Sequence, residues 1–339
     1  MSKKEEPNNK KVAFFLIATE GRQFVYDAIS QIAQSTNLDI FVISHNAPSI
    51  EGHVKRVNDE RRGKIHYIES SNNSVCQKRN AALELLAQRE YDYCFLSDDD
   101  IRLDLSKMEE LIDIFARLPQ ECVVLSPIMD LGNDKIFGGL LYRNGTFMSL
   151  TTQPRSRIWY SLFPSAAFIV IRPHIVLDMF EKHILPFEDL FVMQSEDVDF
   201  AVKIWLLGRK IACTNLVQVQ HLGSRSQIPY WRIFYMYRNR VLLLLLNFSK
   251  SRVVVGLPVR IINDLITSVF SFRSSYVLSL LTAYTWIIKN LRLTLTLRKS
   301  RRTYFVGSER CVFSNLLLPK PRMKDKVGRK AQICVPTNT

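Results

Sequence analysis

Apolar residues along this chain fall into short unbroken runs that alternate with longer stretches of three-to-four spacing. The first run, residues 11–19, is continuous enough for a strand buried on both faces. It breaks at Glu20-Gly21-Arg22, after which Phe24, Ala28, Ile29, Ile32 and Ala33 recur at helical spacing. Residues 38–43 predict a second buried strand that ends in Ser44-His45-Asn46, and residues 64–68 a third, shorter one. Residues 76–88, rich in Ala and Leu, predict a helix, and residues 93–96 a fourth strand. Strands and helices alternating at this interval predict an α/β fold, a mostly parallel sheet flanked by helices.

The pattern continues with a helix at 103–118 closed by Pro119, and a strand at 123–128. Residues 138–143 and 146–150 read as a hairpin turning on Asn144-Gly145. A polar loop at 151–157, a strand at 166–171 and a helix at 173–183 follow. Residues 197–207 predict a helix with Ser195 as N-cap and Gly208 as its stop. Residues 210–213 and 218–221 look like two short terminal strands.

The pattern changes near Tyr230. Two apolar segments, 253–272 and 274–288, follow a run at 235–250. The longest charge-free stretch there is 15 residues, at 274–288. A membrane span needs about 20 predominantly apolar residues. Arg252, Arg260, Arg273, Lys289 and Arg292 punctuate the region, so helices lying in the membrane interface are expected rather than spans. The implied organisation is a disordered tail at 1–10, a core domain at 11–228, an amphipathic helical region at 229–297 and a basic tail at 298–339.

Charge sharpens this division. Of the net +14, residues 251–339 supply 16 basic against 3 acidic side chains, whereas the preceding 250 residues are nearly neutral. An anionic partner is therefore expected for the last quarter alone. A nucleic-acid-binding reading is disfavoured, because the core is charge-balanced and the tail lacks regular aromatic interleaving. The six cysteines are scattered without metal-ligand spacing, which suits buried thiols in a reducing compartment. No signal peptide is recognised at the polar N-terminus, so a cytoplasmic location is expected.

Four groups carry candidate chemistry. Asp98-x-Asp100 closes the fourth strand, at the edge where open α/β sheets bind ligands, and suits a divalent cation. Gln77-Lys78-Arg79-Asn80 precedes it by about a helix length. Glu196, Asp197 and Asp199 open a helix, where the macrodipole alone would stabilise acids by about 0.3–1 kcal/mol each. His221 ends the last strand and is followed by Ser224-Arg225-Ser226.

In this order the groups resemble the family 2 glycosyltransferases of the GT-A fold, over residues 11–240. Lys78-Arg79-Asn80-Ala81 looks like that family's Ala-Arg-Asn-x-Gly segment, with Ala81-Ala82 where glycine is expected. Leu96-Ser97-Asp98-Asp99-Asp100 looks like its metal-binding Asp-x-Asp, and Ser195-Glu196-Asp197 like the motif that supplies the base. His221 matches a late histidine near metal and diphosphate. Tyr237-Arg238-Asn239-Arg240 resembles a segment found after the core in members that extend polysaccharides or lipid-linked sugars.

The resemblance implies a metal-dependent inverting transferase, with Asp197, then Glu196, as base. Asp100, Asp98 and His221 would hold Mn2+ or Mg2+. Thr19, Glu20, Arg22, Ser44, Asn46, Lys78, Arg79, Asp98 and Asp99 would contact a nucleotide-diphospho-sugar donor. In this family an Asp usually ends the second strand, where Ser44 stands here. The acceptor would be a glycan or lipid-linked hydroxyl, met by a peripheral enzyme on an anionic membrane surface. A catalytically lapsed sugar-binding or scaffold relative is the alternative that Ser44 and the missing glycine leave open.

Overall fold

The computed structural model describes residues 10–35, 37–61, 65–102, 104–223, 230–271, 274–307, 309 and 312. The first apolar run becomes strand β1 (Val12–Ile17), buried at every position. Helix α1 (Gln23–Ile32) buries Val25, Ala28, Ile29 and Ile32, the one-sided stripe its spacing predicts. Strand β2 (Leu38–Ser44), helix α2 (Pro48–Arg61), strand β3 (Ile65–Glu69), helix α3 (Val75–Ala87) and strand β4 (Tyr93–Asp98) complete the first half. β1 pairs in parallel with β2 and β4, and β2 with β3, so four strands end on one edge. α2 is absent from the sequence reading. It buries only Ile50, Val54 and Val57, too thin a stripe to stand out in a polar segment.

The second half carries β5 (Ile101–Arg102), α4 (Leu105–Ala116), β6 (Cys122–Asp130), β7 (Lys135–Ile136), β8 (Gly139–Leu141), β9 (Phe147–Ser149), β10 (Ile158–Tyr160), β11 (Phe168–Ile171), α5 (His174–Glu181), a 3-10 turn at Asp189–Phe191, α6 (Glu196–Leu206) and β12 (Lys210–His221). The main sheet runs β10-β12-β6-β11-β4-β1-β2-β3, with β5 against β12 and β7 against β6. β11 is antiparallel to both β4 and β6, while β6 and β12 are parallel to each other. β8 and β9 form the predicted hairpin, with Gly145 at φ 75°.

Two details depart from the sequence reading. β12 is one strand, and a register shift between Thr214 and Gln218 is what made it read as two. Ser195 does stand before α6, but at φ 64° its hydroxyl caps nothing. Gly208, at φ 77°, ends the helix as expected.

Helices α7 (Tyr230–Asn247), α8 (Lys250–Phe270), α9 (Ser274–Lys289) and α10 (Leu291–Arg302) form a layer on the sheet domain. The expected boundary at 297/298 falls inside α10. There Arg298 and Arg301 are buried, not part of a solvated tail. Arg301 pairs with Glu188 and, at 3.1 Å, with Asp199. Lys203 lies 2.6 Å from Asp199, and Asn247 Nδ2 donates to it at 2.7 Å. Burial opposes charge on Asp199, yet Arg301 and Lys203 hold its carboxyl below the usual range. Asp199 is thus the buried clasp of α6, α7 and α10, with no oxygen turned toward the site. Residues 1–9, Ser224-Arg225-Ser226, Cys311, Cys334 and the chain beyond 312 lie outside the described residues.

α8 meets its neighbours along Gly256, Arg260, Asp264 and Ser268, all buried at four-residue spacing. Arg260 and Asp264 pair on this inner face, and Tyr284 donates to Asp264 at 3.0 Å. The outer face exposes Val254, Val255, Ile262, Ile266, Val269 and Phe270. Among the described residues α8 is long and apolar enough to cross a membrane, a length the sequence reading had set aside by counting charges.

Candidate active site

The sheet edge where β1, β2, β3 and β4 end gathers three of the four predicted groups and the described part of the fourth. β4 delivers Asp98, and the turn after it delivers Asp99 and Asp100. β5 then pairs with the end of β12, matching His221 to Ile101, while the Leu222 N–H donates to the Asp100 carbonyl at 2.7 Å. That register places His221 Nε2 3.5 Å from Asp100 Oδ1. Nothing in their 121-residue sequence separation signals the approach.

Arg79 links the other two groups. Its guanidinium, 2% exposed, lies 2.9 Å from Asp98 Oδ1 and 3.1 Å from Glu196 Oε1. It also donates to the Ala166 carbonyl at 3.3 Å. One buried cation therefore sits between the acidic turn and the head of α6. The neighbouring Asn80 is a clasp. It exchanges two hydrogen bonds with the Phe187 backbone, at 2.6 and 3.0 Å.

Several expected donor contacts are turned inward. Ser44 is fully buried and donates to the Ala18 carbonyl at 3.1 Å. The Lys78 ammonium, also buried, donates to the same carbonyl at 2.8 Å, and burial lowers its pKa. Asp99 accepts from the Thr19 N–H at 2.7 Å and from Arg22 at 3.1 Å. Burial pushes Asp99 up to about 6, against the pull of Arg22 and the Thr19 N–H. Arg79 is spent on two carboxylates. These four residues build the floor of the site and shape the loop after β1, each already bonded within the protein. Residue type alone does not report such burial.

Glu20, Asn46 and Arg22 face outward. Glu20 and Asn46 are exposed on the rim, where Glu20 accepts from Ser49 Oγ at 2.6 Å and the Asn46 N–H donates to Glu69 at 2.7 Å. Arg22 is half exposed and lies 3.7 Å from Asp100. Asp197, one residue past the Arg79-bound Glu196, accepts from the Val198 N–H at 2.8 Å. Burial, then the Glu196 charge, pushes its carboxyl up to about 7, against the pull of Arg79. A carboxylate poised near neutrality suits proton abstraction at physiological pH.

Asp100 Oδ1 and His221 Nδ1 are both buried without a hydrogen-bond partner. Gly223 keeps the space beside them clear, since a Cβ there would lie 2.6 Å from Asp100 Oδ2 and 3.1 Å from His221 Nδ1. Gly223 escaped the sequence reading, because one glycine in a polar stretch carries no signal. Among the described residues no set of three or more His, Cys, Asp or Glu side chains is arranged to hold a metal. One carboxylate and one imidazole nevertheless fit a cation whose other ligands are water and phosphate oxygens. Asp98 is not free to join them through Oδ1, which Arg79 occupies.

Two solved structures share this architecture. GalNAc-T7, crystallised with UDP, GalNAc and Mn2+, matches with a TM-score of 0.54 at 11% identity over 71% of this chain. The chain spans about half, 48%, of that protein. The mannosyltransferase PcManGT from Pyrobaculum calidifontis, in complex with GDP-Man and Mn2+, matches with a TM-score of 0.51 at 11% identity, covering 86% of this chain and 85% of its own. The fold is GT-A. No family model matches the sequence, and no curated protein matches it. At such identity the GT-A likeness speaks for the scaffold, and the site must be argued from its own residues.

Proposed function

We propose that this chain is a metal-dependent inverting glycosyltransferase. It would move a sugar from a nucleotide-diphosphate donor to a hydroxyl of a glycan or lipid-linked acceptor at a membrane surface. The observation that carries this reading is the pair of buried, unpartnered polar atoms, Asp100 Oδ1 and His221 Nδ1, at the ligand-binding edge of a GT-A sheet. Buried polar atoms are rarely left without partners, and such pairs call for a ligand. Asp100 and His221 would hold Mn2+ or Mg2+, the ion that two GT-A neighbours contain as Mn2+.

An ion held by Asp100 and His221 would supply positive charge to balance that growing on the leaving diphosphate. Arg79 fixes Asp98 and Glu196 at their separation, and Asp98, part exposed, is left to accept from a donor hydroxyl. Asp197 takes the proton from the attacking acceptor hydroxyl. Displacement with a single base inverts the anomeric carbon.

The test is thermal unfolding against a panel of nucleoside diphosphates, with and without Mn2+. A ligand present at 100 times its dissociation constant adds about 2.7 kcal/mol. One nucleotide is expected to raise the melting temperature only with metal, and Gly223→Ala to abolish that shift. A flat panel with well-folded protein would favour a lapsed relative instead.

The membrane is proposed from the helical layer. Besides the outer face of α8, Leu278, Leu281 and Ile288 of α9 and Leu291, Leu293 and Leu295 of α10 are exposed. Lys250, Lys289, Arg292 and Lys299 of the same helices are exposed too. An apolar face with a basic margin matches an anionic bilayer surface. The inner face of α8 is packed on the protein, which favours lying in the interface over crossing. Among the described residues, four buried free thiols suit the reducing, cytoplasmic side. Binding to acidic vesicles is expected to weaken as salt rises, since each basic side chain near the surface contributes about 1 kcal/mol. Equal binding to neutral vesicles would point to insertion instead.

A further inference from the structure

The segment leading into α6 adopts a conformation that its residues disfavour. Val192, Gln194 and Ser195 have φ of 59°, 61° and 64°, the left-handed region. For a β-branched residue such as Val192 this is an outlier, and strain of this kind persists only where the surroundings over-determine it. Here α7 does so. Asn239 is fully buried, and its Nδ2 lies 3.1, 2.7 and 2.6 Å from the carbonyls of Phe191, Met193 and Gln194.

Arg238 fixes the orientation of that amide, its Nε donating to Asn239 Oδ1 at 2.9 Å. Its guanidinium also donates to the carbonyls of Leu190 and Phe191, the latter at 3.0 Å. Arg238 lies 4.6 Å from the ring centroids of both Tyr235 and Trp286. Among the described residues no carboxylate pairs with it. Burying a cation without a counter-ion is costly, and the return here is a fixed loop. From the opposite side Ser74 Oγ donates to the Val192 carbonyl at 3.3 Å. The strained stretch ends at Ser195. Glu196, held by Arg79, comes next, and Asp197 follows.

We propose that Arg238 and Asn239 are positioning residues, which clamp residues 190–195 in a strained shape and thereby aim Asp197 at the acceptor hydroxyl. The proposal rests on the reading of Asp197 as the base. Neither residue touches donor, acceptor or metal in this account. The groups that set the charge state of Asp197 are Glu196 on its own helix and Arg79 from α3. Freeing the loop would let water reach Asp197 and change its separation from both.

The experiment compares Asn239→Ala and Arg238→Lys with wild type in the full-length protein. Turnover of Asn239→Ala is expected to fall about 100-fold, as for a base displaced by about 1 Å, with KM for the donor unchanged within about twofold. The pH midpoint of turnover should move down toward the ordinary carboxylate range. Arg238→Lys keeps a donor for the loop carbonyls and should retain part of the activity. Arg172→Met is the control. Arg172 is equally buried and donates to the carbonyls of Phe115, Leu118 and Pro119, away from the site. It should lower stability without moving the pH midpoint.

Hydrogen exchange of amides 190–197 gives a readout independent of catalysis, and Asn239→Ala should accelerate it there above the rest of α6. If wild type transfers no sugar, the glycosyltransferase reading fails while the exchange result still decides whether the clamp exists. An Asn239→Ala protein that loses stability like the control, with loop exchange and pH midpoint unmoved, overturns the proposal.

Discussion

Asp197→Asn is expected to lower turnover by about 10²- to 10⁴-fold, the usual share of a general base. Affinity for the nucleotide and metal should stay close to wild type. The substitution keeps the shape of the side chain, and its Oδ1 can still accept from the Val198 N–H, as Asp197 does at 2.8 Å. It removes only the ability to take a proton. In wild type, turnover should rise with pH through a midpoint near 7, where burial and the Glu196 charge place this carboxyl.

Stability supplies an independent check, because the sign is fixed by linkage. The folded state holds a proton on Asp197 up to about pH 7, whereas an unfolded aspartate releases it near pH 4. Between those values the native state binds more protons, so wild-type stability falls as pH rises. The Asn variant lacks this slope. Relative to wild type it should be more stable at pH 8 than at pH 5. If Asp197 only complemented the helix dipole, its charged form would stabilise the fold by about 0.3–1 kcal/mol at both pH values, and the difference between variant and wild type would not change from pH 5 to pH 8. Denaturant melts at the two pH values, read beside the transfer assay, separate these cases. A variant that keeps transferring sugar would remove Asp197 from the mechanism.

The scaffold was legible because its strands are short, apolar and buried on both faces. β1, with every residue buried, could hardly be read otherwise. The ends of strands were legible too, since Asp98 closes an apolar run and His221 an alternating one. What the sequence could not convey is which polar groups the fold consumes. Ser44, Lys78, Arg79 and Asp99 look like ligand contacts by residue type, yet all four are buried and bonded within the protein. Asp199 reads as part of an acidic motif, and only the arrival of Arg301, 102 residues later, reveals it as a structural clasp. The end of α10, from Arg298, reads as tail for a related reason: its run of basic residues suits solvent, and the burial of Arg301 depends on carboxylates elsewhere in the chain. Long-range pairing, rather than local preference, decides each of these cases.

Arg79→Met carries the largest expected cost to stability, because two carboxylates are left behind. Arg79 holds Asp98 and Glu196 at 2.9 and 3.1 Å and lies 5.2 Å from the Phe187 ring centroid. Methionine fills much of the same space without the charge. Two carboxylates would then face an apolar side chain instead of a shared cation. Removing one member of a buried ion pair costs about 3–5 kcal/mol, a large part of the 5–15 kcal/mol that holds a typical domain together. Asp98 keeps 29% of its side chain exposed and Glu196 12%, so Glu196 carries the greater share. The melting temperature at pH 8 should fall by about 5 °C. The deficit should shrink toward pH 4, where protonation relieves the stranded charges.

Transfer should fall by at least about 100-fold, because the acidic turn and the head of α6 lose the group that sets their spacing. Arg79→Lys should recover only part of either loss, since an ammonium cannot present two parallel donors to carboxylates on opposite sides. The decisive variant combines Arg79→Met with Glu196→Gln. Removing the more buried stranded charge should restore stability without restoring transfer, a coupling that a cavity or general misfolding would not produce. A single Arg79→Met protein that melts like wild type at pH 8 would show that Arg79 is not the cation on which this site is built.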